Sequence, residues 1–281
     1  MKDASIHPLR RAGMTDFNET RESGALVIAK DGIVRKTHKH PADYRQERFF
    51  YELLLPYKFS FLPEWVHFTD TKQLIEMPDC GKQLEEFCAD NPFASLTTFL
   101  PRALADMRQV WELNRSVEPQ YVYDNDRMAR ETIDFLSRKY EELFNRMGLP
   151  FPGRDQFVSS LGKCLERLFA RNRDAHIIHF DLFAGNILLD QQSQLKIVDW
   201  SGARQASLVN EFAILYAKLD LADSLAQSIL SRMSEEFGID FVDVETLGAA
   251  YLVLRKSRKN TGNNSDDLGT ILETFAEDYL R

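Results

Sequence analysis

Between His176 and Trp200 the chain reads HIIHFDLFAGNILLDQQSQLKIVDW, with His179, Asp181, Asn186 and Asp199 set among isoleucine, leucine and valine. Asn186 follows Asp181 by five positions, and the apolar runs flanking the polar QQSQ predict two strands of a hairpin. Asn186 enters the first strand and Asp199 leaves the second, so a carboxamide and a carboxylate come near one another at one end. Both are hard oxygen donors, and magnesium favours one or two carboxylates completed by phosphate and water oxygens. Asp181 sits on the loop before the hairpin, placed to receive a proton from an attacking hydroxyl. Taken singly, an aspartate or asparagine beside a strand is an ordinary turn former. His179, Asp181, Asn186 and Asp199 together at these offsets on a strand–turn–strand pattern point to chemistry. Asp190 belongs to the turn, and His176 matches no required position.

This pattern, H-x-D-x-x-x-x-N followed by a strand pair ending in Asp199-Trp200, resembles the catalytic centre of the aminoglycoside phosphotransferase and choline kinase-like group. That group has the eukaryotic-protein-kinase-like fold. The resemblance implies an enzyme that moves the γ-phosphoryl of ATP or GTP to a hydroxyl of a small molecule, aminoglycoside-, choline- or sugar-like. It implies Asp181 as catalytic base, His179 as a hydrogen-bonding brace of its loop, and Asn186 and Asp199 as holders of Mg2+ on the nucleotide phosphates. It also implies a cation for the α and β phosphates and an acid to position it, which Lys36 in IVRKTH and Glu47 in YRQERFFYELL would supply. Arg35 points to the opposite face and becomes the functional cation if the strand slips by one residue. Glu52 is the rival acid on the helix. The segment Leu74–Gly81 would hold the adenine ring, with Glu76 and Met77 as candidate contacts, because Pro78 has no N–H to donate.

The chain departs from the pattern at several points. No GxGxxG precedes Lys36, and the candidate phosphate-covering loop is ETRESG, with Ser23 and Gly24 as donors. Phe183 stands two residues after Asp181, where no lysine is found, Trp200 replaces Phe-Gly after Asp199, and no Ala-Pro-Glu segment occurs. These features favour small molecules over protein substrates. Glu211 is open to a bracing role, and Asp124, Asp126 and Glu211 are acids that would favour an amine-bearing acceptor. An inactive nucleotide-binding regulatory module, or a kinase of protein or lipopolysaccharide, are the alternatives.

The elements that must position these residues follow from periodicity. ALVIA and IVRKT, joined by Asp31-Gly32, predict a hairpin. A helix is expected over Ala42–Leu55, and a further strand pair over WVHFTD and KQLIEMP. Beyond Gly81 helical spacing dominates to residue 175 and again from Val209 to Leu280. The order predicts an α+β, two-lobed chain: a small β-rich N-terminal nucleotide-binding lobe over residues 1–80 and a larger, mainly helical catalytic and acceptor-binding lobe over 81–281.

With 44% hydrophobic and 28% charged residues the chain has ample material for a core. Its net charge of −8 argues against a general nucleic-acid binder. Cys80, Cys88 and Cys164 form no disulfide framework and no CxxC pair. The charged N-terminus is no secretory signal, and no run matches a membrane span, so a soluble, cytoplasmic protein is expected. His38 and His40 in HKH read as a solvated strand end, since a metal site lacks a third ligand nearby. LRKSRKN, after an apolar helix, suits a helix C-terminus.

Overall fold

Asp31 and Gly32 have φ of 54° and 73°, the pair of positive values that lets a two-residue turn match the twist of its strands. They join β2 (Leu26–Lys30) to β3 (Ile33–Thr37). In this computed structural model, which describes residues 17–20, 25–90, 96–147, 154–218 and 224–259, a further strand, β1 (Phe17–Thr20), pairs with β2. The sequence shows no period there, because four residues are too few to display one. Ser23, Gly24 and the polar stretch after residue 259 lie outside the described residues.

Helix α1 (Pro41–Leu54) begins one residue before the expected Ala42, with proline in its first turn, where its fixed φ suits a helix and its missing N–H costs nothing. Its buried residues Tyr44, Glu47, Phe50, Tyr51 and Leu54 recur at helical spacing. Strands β4 (His67–Thr69) and β5 (Leu74–Pro78) complete an antiparallel sheet of order β1-β2-β3-β5-β4. Val27 and Ala29 on β2, and Ile75 and Met77 on β5, alternate into the core.

β6 (Lys82–Gln83) leads into α2 (Leu84–Asp90). Much later in the chain, β8 (Ile187–Leu189) and β9 (Leu195–Ile197) form the expected hairpin, and β6 pairs with β8. Gly81 makes this junction possible. Its φ is +100°, and a Cβ there would lie 2.0 Å from the Leu189 carbonyl oxygen.

By contact the described chain forms two compact units. One runs to Phe87 and takes in Gly185–Gly202; the other holds Cys88–Ala184 and the chain from Ala203. The sequence suggests a single division at residues 80 and 81, whereas the hairpin returns to the first unit. Pairing of β8 with β6, an Ile197 N–H bond to the Phe61 carbonyl at 2.7 Å, and packing of the short turn of helix Trp200–Gly202 on α1 hold it there.

The second unit contains α3 (Leu96–Trp111), α4 (Asn125–Met147) and α5 (Arg154–Arg171). β7 (His176–Ile178) pairs with β10 (Arg204–Ala206), and α6 (Leu208–Lys218), α7 (Ser224–Glu236) and α8 (Phe241–Lys259) follow. Helix α6 is buried on nearly every side, as an all-round apolar helix must be. Trp111 packs on Phe212 of α6 at 5.5 Å between ring centroids. Gly248 lets α8 approach α6 closely, since a Cβ there would sit 2.5 Å from the Tyr216 ring. No helix among the described residues is long and apolar enough to cross a membrane.

Candidate active site

In the first unit, Lys36 on β3 is 5% exposed, and its Nζ donates to Glu47 Oε2 at 2.7 Å and to Asp199 Oδ1 at 2.6 Å. Burial pulls the lysine pKa down, but the Asp199 and Glu47 carboxylates outweigh it and hold the amine above its ordinary value, hence charged. The two alternatives left open by the sequence separate by position. Arg35, on the other face of β3 with 39% of its side chain exposed, pairs with Glu76 at 2.8 Å. Glu52 accepts from Arg48 on the exposed side of α1.

His38 is a correction to the solvated strand end expected at HKH. It is buried, and its Nε2 lies 2.7 Å from Glu47 Oε2, whereas His40 is exposed. The side-chain period of two in a strand puts His38 on the same face as Lys36. That parity was the available signal.

Asn186 and Asp199 flank the β8–β9 hairpin as expected. Ile187 stands opposite Ile197, and the Val198 N–H donates to the Asn186 carbonyl at 3.0 Å. Asn186 is buried, and Asp199 has a left-handed φ of 67° that a non-glycine residue adopts only when its surroundings hold it. Ser201 Oγ donates to the Asp199 carboxylate. Among the described residues no group of three or more histidine, cysteine, aspartate or glutamate side chains is arranged to hold a metal ion. The amide and carboxylate fit magnesium as hard donors whose shell phosphate and water oxygens would complete.

Around β5, the Asp79 N–H donates to the Gly32 carbonyl at 2.9 Å, and Met77 stands opposite Val34. In an antiparallel ladder residues two apart share a side, so the Met77 backbone faces β3. Its side chain is buried with Sδ 4.0 Å from the Tyr51 hydroxyl, and the Glu76 carboxylate is taken by Arg35. Beside them the Cys80 thiol is buried and pushed up to about 12, chiefly by desolvation, which makes it inert as a nucleophile.

In the second unit, the loop carrying Asp181 is braced from α6. Glu211 accepts the backbone N–H of Phe180 at 2.8 Å and of His179 at 3.3 Å. These bonds secure Phe180, whose φ of 62° is again left-handed. His179 is itself fully buried. Burial raises the Glu211 carboxyl to about 7, with the two backbone N–H bonds pulling the other way.

Lys218, at the last residue of α6, is the residue that motif reasoning passes over. Its Nζ contacts Asp181 Oδ1 and lies 4.1 Å from the Phe183 ring centroid. Asp181 and Lys218 line a cavity of about 740 Å³ together with Tyr123, Asp124, Arg204 and Tyr251. Of the three acids that the sequence offers for an amine-bearing acceptor, Asp124 lines this cavity, Asp126 is not among its lining residues, and Glu211 faces the backbone of the loop. The Asp124 carboxylate also caps α4 by accepting the Arg127 N–H at 2.8 Å.

A family model described as the phosphotransferase enzyme family, APH, matches residues 79–240. Among solved structures, the ADP-bound aminoglycoside phosphotransferase APH(2'')-Ib is 13% identical, with a TM-score of 0.61 over 94% of this chain and 93% of its own. A choline/ethanolamine kinase family protein from Mesorhizobium loti is 14% identical, with a TM-score of 0.59 over 95% of this chain and 88% of its own. The choline kinase LicA from Streptococcus pneumoniae is 12% identical, with a TM-score of 0.57 over 90% and 89%. No curated protein matches the chain by sequence. At these identities the structures establish a shared protein-kinase-like α+β fold. The family match spans more than half of the sequence, including the segment from His179 to Asp199, and on that ground the chain belongs to the phosphotransferase enzyme family.

Proposed function

We propose that the protein transfers the γ-phosphoryl group of ATP or GTP to a hydroxyl of a small molecule. The observation that carries this reading is the buried Lys36 ammonium held by Glu47 and Asp199. A charged lysine fixed by two carboxylates is suited to nucleotide phosphates, whose negative charge repays its removal from water. Asp181, reachable from a cavity large enough for a sugar-sized acceptor, supports the second half of the reaction.

The acceptor oxygen attacks the γ-phosphorus, and the bond from that phosphorus to the β–γ bridging oxygen breaks. The nucleoside diphosphate leaves with the bonding pair. The hydroxyl proton passes to the Asp181 carboxylate, and Glu211 holds the loop that presents it. Lys36 steadies the α and β phosphates, and is itself fixed by Glu47, whose carboxylate is also bonded to His38. Asn186 and Asp199 would hold magnesium, which when bound neutralises phosphate charge. Catalysis on this plan is positioning and charge compensation. A nucleotide donor suits a cytoplasmic setting.

The test is transfer of label from γ-labelled ATP and GTP, with magnesium, to aminoglycosides, choline, ethanolamine and monosaccharides. Label in an acceptor that disappears in Asp181→Asn supports the reading. A magnesium-dependent thermal shift with nucleotide but no transfer would make the chain a nucleotide-binding module instead. Label found in protein or lipopolysaccharide, and in no small acceptor, would replace the acceptor class.

A further inference from the structure

Helix α6 bears on the Asp181 loop twice. Glu211, in its first turn, takes the backbone N–H groups of His179 and Phe180. Lys218, two turns later and close to the same face, takes the Asp181 side chain. The helix is fixed by its own burial, with Val209, Phe212 and Ala213 fully enclosed. It therefore provides a rigid rail for the backbone and the carboxylate of one short loop.

Lys218 is itself held. Its side chain is 16% exposed against 43% for Asp181, and its ammonium lies 4.1 Å from the Phe183 ring centroid. An ammonium near an aromatic face is attracted by the ring quadrupole, more strongly as water is removed. A cation also suits the C-terminus of a helix. Phe183 comes from the Asp181 loop, so that loop supplies both the carboxylate that Lys218 binds and the ring that restrains it.

A lone lysine–aspartate pair at a surface contributes little stability, because water competes and two flexible side chains must be ordered. This pair lies in the wall of the acceptor cavity, where orientation of the carboxylate matters more than its net stabilisation. We propose that Lys218 is a positioning residue: clamped by Phe183, it sets the orientation in which Asp181 meets the acceptor hydroxyl. It does the work of a cation on the Asp181 loop from a distant helix. The proposal rests on the phosphotransfer reading, because a positioned base needs a hydroxyl to act on.

The test compares wild type with Lys218→Met, Lys218→Arg and Phe183→Leu, using labelled ATP and GTP, the best acceptor found and water as acceptor of last resort. Lys218→Met should lower kcat roughly ten- to a hundred-fold, while acceptor KM and nucleotide affinity change by less than about threefold. Lys218→Arg should recover most of kcat, and Phe183→Leu should fall in the middle. An unchanged kcat in Lys218→Met, a loss confined to nucleotide affinity, or no recovery with arginine would each overturn the proposal. A second measurement stands apart from turnover: the 13C carboxylate resonance of Asp181, assigned with Asp181→Asn. It should move in Lys218→Met and return in Lys218→Arg. If wild type transfers no phosphate at all, the phosphotransfer reading fails, and an Asp181 resonance indifferent to Lys218 overturns the positioning role separately.

Discussion

Lys36 and Asp199, 163 positions apart, meet at 2.6 Å within one compact unit, and the Glu47 carboxylate meets the same ammonium at 2.7 Å. The contact joins the β3 strand to the exit of the β8–β9 hairpin. A buried cation bridging two acids is strongly destabilised when one member is removed and the others are stranded. On the phosphotransfer reading proposed above, an entering phosphate would offset its cost in the free protein.

Lys36→Met is therefore expected to lower stability by about 3–5 kcal/mol and to abolish the thermal shift produced by magnesium and nucleotide. Turnover should fall roughly a hundred-fold or more. Arg35→Ala, which breaks an outward-facing pair, should change stability by about 1 kcal/mol or less and leave nucleotide binding intact. Thermal unfolding with and without nucleotide checks both. A nucleotide thermal shift lost in Arg35→Ala and kept in Lys36→Met would return the choice of functional cation to Arg35.

Asp181→Asn keeps the side chain's shape but removes the proton acceptor. We expect kcat to drop roughly a hundred- to ten-thousand-fold, with nucleotide affinity little changed. Calorimetric titration beside steady-state kinetics measures the two separately. Full phosphotransfer by this variant would remove Asp181 from the role of base.

Glu211 ties stability to pH. Its carboxyl lies near 7 in the folded protein against an ordinary value of 4.5, the rise coming mainly from burial. Between these values the folded state holds a proton that the unfolded state has released. Stability should therefore fall as pH rises from about 4.5 to 7, by on the order of 3 kcal/mol from this group, and be flat outside the window. Glu211→Gln, neutral throughout, should lose that part of the slope. Urea midpoints of wild type and variant at pH 4.5, 6 and 7.5 provide the comparison.

Gly81→Ala places a Cβ 2.0 Å from the Leu189 carbonyl oxygen at a φ of +100°. Relief requires the start of β6 to move away from β8. A loss of at least about 1–3 kcal/mol is expected, with an unchanged m-value, in urea unfolding. An unchanged midpoint would mean that the junction accommodates the methyl group.

Local rules wrote much of this molecule into its sequence. Asp31-Gly32 announces its own turn because few other residues tolerate positive φ at both positions, and α1 follows from the proline and aspartate of its first turn and the good helix formers after them. The order and spacing of Asp181, Asn186 and Asp199, with a polar turn between apolar strands, are legible within one short segment. Strand parity likewise placed Lys36 and Arg35 on opposite faces.

Long-range contacts had no such local record. Whether Glu47 or Glu52 meets Lys36 depends on which side of α1 is buried, and His38 joins them only because β3 and α1 pack at that register. The return of residues 185–202 to the first unit requires β8 to pair with β6 across about a hundred intervening residues. Lys218 belongs to no motif with Asp181; it reaches the carboxylate because α6 is buried at one rotation beneath that loop. Periodicity and turn chemistry act over a few residues and are legible there, whereas partners in a site are chosen by the packing of whole elements.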